Sequence, residues 1–205
     1  MSVLHNALPY LGQVLLVAVL LTLMSGSLVK DKRLHRVSVA VLLLLGIFVP
    51  VYGLTFAQWL RSVVGDLSVF TLLIFANILA QRLWNKNILP TATRNMLLWG
   101  VALVGVIFYP LALGVSEFDP YRSGYAPVLM TALLCLVSII AWLSAYRGLA
   151  VILLLPLIAF NLQLLESTNL WDYLLDPILW VYAVVQSGLY MKLLRANNSE
   201  QNTQI

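Results

Sequence analysis

The sequence predicts an all-α bundle of about seven transmembrane helices, with the N-terminus outside and the C-terminus inside. Two observations carry this. Hydrophobic residues make up 61% of the 205 residues and charged residues only 10%, more apolar side chain than a soluble domain of that length can bury. The remaining charges are sorted, with basic residues in alternate loops and acidic residues in the loops between.

The first apolar segment covers residues 8–29. A cleaved signal peptide is the competing reading. The segment lacks a basic leading region and a small-residue cleavage site and is too long for a signal core, so a retained helix is expected. Lys30, Lys32, Arg33 and Arg36 follow at once and mark a cytoplasmic loop. The second segment covers residues 37–54, with Pro50 near its outer end.

Residues 55–65 differ in character. Phe56, Trp59, Leu60, Val63 and Val64 recur at helical spacing, with Gln58, Arg61 and Ser62 between them. This pattern fits a short amphipathic helix lying in the outer interface, or else a second helix that protrudes. Asp66 is placed to cap the third segment, which reaches Trp84. Arg82, Lys86 and Arg94 make the next loop an inner one, with Pro90 at its turn, and the fourth segment covers residues 95–114.

The outer loop 115–127 is the longest polar connection. The fifth segment, residues 128–146, turns tightly at Arg147-Gly148 into the sixth, residues 149–165, which contains Pro156. A last outer loop, 166–177, leads to the seventh segment, residues 178–194, whose end is held inside by Lys192 and Arg195. Residues 1–195 thus form one transmembrane domain, and 196–205 a short polar cytoplasmic tail expected to be disordered. The glycosylation sequon Asn197-Asn198-Ser199 falls inside in this topology and would go unused.

Six of the eight acidic residues then face outward: Asp66, Glu117, Asp119, Glu166, Asp172 and Asp176. The only outer cations are Arg61 and Arg122. Glu117, Asp119, Arg122, Glu166, Asp172, Asp176 and Arg61 are therefore the candidate outer-face polar site. Helix capping accounts for part of it, because Asp119-Pro120 and Asp176-Pro177 put an acid before proline, which is favourable helix-start chemistry. A local pair between Asp119 or Glu117 and Arg122, among interfacial aromatics, needs no ligand either. Asp172 and Asp176 are four apart and would share one face of a helix, where they would need a cation between them: Arg61, Arg122, a hard divalent metal or a positively charged lipid headgroup. An ion pair is favoured over a metal, because no spacing matches a metal motif.

Among the polar residues inside the segments, Asn77, Asn161, Gln163, Gln186 and Ser187 are placed to join helices by hydrogen bonds. No segment centre carries an acidic, basic or histidine residue, which disfavours coupled transport. His5 and His35 are far apart in sequence, and Cys135 is the single cysteine, so neither a histidine metal site nor an intrachain disulfide is expected. No motif implies a cofactor, and the basic residues flank apolar segments rather than forming a nucleic-acid patch. The expected role is a non-catalytic accessory or scaffold subunit of a cell-envelope complex in a bacterial inner membrane, with membrane lipids and a membrane protein as partners. The alternative is a small integral-membrane enzyme or lipid-handling protein using the acidic outer loops. A transporter or channel ranks third.

Overall fold

The computed structural model describes residues 2–25, 32–47 and 49–203. Of the first basic loop, Lys30 lies outside them, while Lys32, Arg33 and Arg36 belong to the first turns of a helix. The protein is an all-α bundle. Helices α1 (Ser2–Ser25), α2 (Lys32–Ile47), α4 (Val69–Trp84), α5 (Thr91–Ala112), α6 (Val128–Leu143), α7 (Arg147–Asn161) and α9 (Pro177–Thr203) each overlap one of the apolar segments. Among the described residues, one helix, Thr91–Ala112, is by itself long and apolar enough to cross a membrane, and the other apolar helices are shorter. The expected count of seven spans is therefore not supported by helix length alone.

Residues 49–65 resolve the choice left open by the sequence. Pro50 does not kink a helix. Strands β1 (Pro50–Val51) and β2 (Leu54–Thr55) pair antiparallel as a tight hairpin, with Tyr52 and Gly53 both at positive φ, the backbone that a two-residue hairpin turn requires. A separate amphipathic helix, α3 (Phe56–Val64), follows. Thr55 and Gln58 close a reciprocal capping box at its start. Leu60 and Val64 pack inward, while Phe56, Trp59 and Val63 lie exposed.

Helix α4 is the central element. Phe70 and Ile74 join the larger core, built mainly with α5, α7, α9 and the short helix α8 (Leu170–Leu174). A different face, with Phe75 and Leu79, joins Leu16 and Val19 of α1 in the smaller core. Helices α5 and α9 approach closely where Gly105 meets Trp180: a Cβ at Gly105 would sit 2.1 Å from Trp180 Cδ1, so only glycine permits this seam. Helices α6 and α7 form a hairpin tied by the Ser138 hydroxyl, which donates to the Ala150 carbonyl at 3.1 Å.

Helix α6 is apolar on its outward face, and its buried residues are Met130, Ser138 and Ala141. Its exposed large side chains, Leu129, Leu133, Leu136, Ile139, Ile140 and Leu143 among them, are all hydrophobic, while Ser138 is buried. At the other end of the chain, helix continues beyond the expected stop at Leu194, and α9 runs through the polar tail to Thr203.

Candidate functional site at the acidic end of the bundle

The loops carrying the acidic residues meet at one end. The α3–α4 junction, a 3₁₀ turn (Pro120–Tyr125) and the α7–α8–α9 connection come together there. Arg82, Lys86, Arg94 and Arg147 belong to the opposite end, where Gly148 packs against the Thr93 side chain at the start of α5. The sorting of charge along the sequence is thus a sorting in space.

The centre of the acidic end is Asp176, which is buried. Oδ1 accepts from the Leu179 N–H at 2.9 Å and so caps α9 as expected. Oδ2 accepts from the Ser68 N–H at 2.9 Å and from the Thr71 hydroxyl. One carboxylate therefore fastens the starts of α4 and α9 with three donors, and among the described residues no cationic side chain pairs with it. Three hydrogen bonds are what a buried carboxylate needs to remain tolerable away from water.

Asp66 does not cap α4. Ser68 does, its hydroxyl accepting from the Thr71 N–H. Asp66 instead forms a two-point pair with Arg61, at 2.7 Å to Nε and 3.1 Å to Nη2. The same Nη2 reaches Glu166 at 2.8 Å, and the guanidinium lies 5.6 Å from the Tyr10 ring centre. The Asp66 hydrogen bond, opposed by partial burial and aided by Glu166, holds the Arg61 charge more firmly than usual. Gln13, fully buried on α1, donates to the Gly65 carbonyl at 2.8 Å, which anchors this junction to the first helix. A shallow cleft of about 440 Å³ opens beside the cluster.

The third group surrounds Asp172. The Tyr121 hydroxyl donates to it at 3.0 Å and the Ser167 hydroxyl also donates to it. Burial, and then the bond to Asp172, push the Tyr121 hydroxyl above its ordinary range. Asn169 stitches the same loops: its amide donates to the Tyr121 carbonyl at 3.0 Å, and its oxygen caps α8 by accepting from the Trp171 N–H at 2.9 Å. The Trp171 indole donates to the Pro120 carbonyl at 2.9 Å and lies 4.4 Å from the Phe108 ring. Gly124 packs directly on Asn169, and a Cβ there would fall 1.7 Å from Oδ1. Tyr173, fully buried, donates to the Leu165 carbonyl at 3.0 Å and lies beneath this cluster.

Several expectations are corrected by these contacts. Asp172 and Asp176 do not share a helix face, because α8 ends at Leu174 and Leu175 is extended. Neither meets Arg61 or Arg122. They are compensated by hydroxyls and backbone N–H groups, so no cation is needed between them. Asp119 caps the 3₁₀ turn through the Tyr121 N–H at 2.9 Å and does not pair with Arg122. Glu117 and Arg122 are exposed and form no ion pair among the described residues. Arg61 pairs instead with Asp66 and Glu166. Among the described residues, no group of three His, Cys, Asp or Glu side chains is arranged to hold a metal.

Of the polar residues within the apolar segments, Asn77 accepts from the Leu89 N–H at 2.9 Å, joining α4 to the following loop. Asn161 turns back to its own helix, bonding the Leu157 carbonyl. Ser68, Thr71, Gln13 and Ser167 belong to the site and were not singled out from the sequence. A Ser-x-x-Thr pair at a segment start was the signal available for the first two.

The assembly is chemically a set of clasps. Each carboxylate that joins two elements is bound to donors from the chain itself. No protein-family model, characterised protein or solved structure matches the chain.

Proposed function

We propose that the chain is a multi-pass membrane protein of the cell envelope, N-terminus outward and C-terminus inward, acting as a non-catalytic accessory or scaffold subunit beside a larger membrane protein. The observation that carries this is the exposed face of α6. Val128, Leu129, Leu133, Leu136, Ile139, Ile140 and Leu143 all lie open on it, and the one buried hydroxyl of the helix, Ser138, is tied to α7. A soluble monomer rarely leaves such a surface open to water, whereas lipid or an apolar partner covers it without cost. The shorter apolar helices are accommodated by local bilayer thinning and by interfacial segments at their ends. Helix α3, exposing Phe56, Trp59 and Val63, is suited to lie in that interface. The scaffold role is supported by the use of Asp66, Asp119, Glu166, Asp172 and Asp176 in caps and clasps.

Topology is tested by single cysteines introduced at the exposed positions Glu117, Thr168 and Asn87 in a Cys135→Ala background. The first two should react with an impermeant thiol reagent from outside, and the third only after lysis. Reversed labelling would overturn the orientation, and release of the chain from vesicles by alkaline carbonate would overturn membrane integration. The accessory role is tested by purification in mild detergent. Asp172→Asn should alter association with a bound membrane protein, and a chain that stays monomeric without partners would sink this role.

A further inference from the structure

At the basic end, opposite the clasps, residues of α5 and α9 line a cleft of about 250 Å³. Its polar lining consists of Arg94, Asn95, Trp99, Gln186, Ser187 and Tyr190. Every one of these can donate a hydrogen bond, one is a permanent cation, and no carboxylate lines the cleft. The Ser187 hydroxyl is buried and has no hydrogen-bond partner. A buried hydroxyl left unpaired is costly, and Ser187 is one of the residues that line the cleft. Among the described residues, the Arg94 side chain bonds Asn95 Oδ1 through Nε and Nη2, and its Nη1 makes no hydrogen bond. Arg94 also lies in the first turn of α5, whose start has no capping side chain, so the positive end of the helix faces the same region.

We infer that this cleft between α5 and α9 seats a phosphate-bearing anion, contacted by the Arg94 guanidinium and the Ser187 hydroxyl, and that in a bilayer the phosphate is that of an anionic phospholipid headgroup. The volume favours a headgroup over a whole lipid, since pockets that engulf drug-sized ligands run to about 300–1,000 Å³. Farther along the same two helices Leu103, Val104, Val181 and Val185 are exposed, an apolar track for acyl chains. A basic cleft between helices on the inner side is the arrangement that binds anionic headgroups. The lipid source rests on the membrane assignment proposed above, whereas the phosphate seat does not.

The test uses the full chain in detergent and in vesicles. Thermal stabilisation and lipid retention are measured with phosphatidylglycerol, phosphatidylcholine and inorganic phosphate, for the parent, Arg94→Gln, Ser187→Ala and a control, Lys86→Gln, which removes an exposed charge outside the cleft. Phosphatidylglycerol should be retained in preference to phosphatidylcholine. Its affinity should fall about tenfold in Arg94→Gln and severalfold in Ser187→Ala, the scale of losing a charged hydrogen bond, with Lys86→Gln unchanged. The same variant pattern with inorganic phosphate alone supports the seat and assigns it a soluble source. If neither ligand distinguishes parent, Arg94→Gln and Ser187→Ala, the seat does not exist. Carbonate extraction of the same samples reports membrane integration separately, so failure of the bilayer assignment is not mistaken for failure of the cleft.

Discussion

The Asp176 carboxylate accepts the backbone N–H of Ser68, a residue 108 positions earlier in the chain, at 2.9 Å. The starts of α4 and α9 are thereby fixed to one buried group, which also receives the Thr71 hydroxyl and the Leu179 N–H. Removing that group strands donors at two helix ends at once.

Asp176→Ala is therefore expected to destabilise the bundle by about 2–4 kcal/mol, and Asp176→Asn by less, because the amide oxygen can still cap α9. Unfolding in mixed micelles, followed by tryptophan fluorescence, would measure both. Equal stability of Asp176→Ala and the parent would refute the clasp.

The Arg61 cluster separates a covered pair from an exposed one. The Asp66 side chain is 14% exposed and that of Glu166 65%. Glu166→Gln should cost no more than about 1 kcal/mol and lose its effect in high salt. Arg61→Ala, which leaves a largely covered Asp66 carboxylate without its partner, should cost about 1–3 kcal/mol. Comparing the two variants at low and high ionic strength checks the order.

Gly124→Ala places a methyl group where the Asn169 oxygen sits. The loop must shift, at about 1–3 kcal/mol. Protease nicking in the 115–127 loop should rise in this variant. In combination with Asn169→Ala, which removes the clashing oxygen, the total cost should be less than the sum of the two single changes.

Tyr121 supplies a pH dependence. Its hydroxyl is held above its ordinary value by burial first and then by Asp172. In the unfolded chain the hydroxyl ionises near pH 10, while the folded protein still holds its proton there. The unfolded state then binds fewer protons, so stability present below about pH 10 declines as pH rises beyond it. Tyr121→Phe should show a shallower decline in an alkaline unfolding series, and an identical slope would remove Tyr121 from the account.

Much of the acidic end was legible before any coordinates. Asp119-Pro120 and Asp176-Pro177 both begin helical turns, because aspartate followed by proline states its preference within two residues. The amphipathic stretch at residues 56–64 is a helix for a similarly local reason, a 3.6-residue period backed by a Thr–Gln capping box. Asp66 misled because two competing partners lie close by in sequence. Arg61, one turn back in α3, offers two charge-assisted bonds, and Ser68 is left to cap α4. Asp172 and Asp176 misled because residues four apart share a face only within a continuous helix, and α8 ends at Leu174.

The sequence by itself determined where apolar helices form, which loops are acidic or basic, and which residues start helices. Those properties depend on side-chain type and on neighbours within a turn or two. Only the tertiary structure decided which acid meets which donor. Asp176 with Ser68, Tyr121 with Asp172, Arg61 with Glu166, and the unpaired Ser187 hydroxyl in the α5–α9 cleft all depend on how helix ends far apart in the chain are juxtaposed. A carboxylate carries no mark of its partner. It takes whichever donors packing brings within about 3 Å, because leaving it unpaired in a buried position costs more than any local preference supplies.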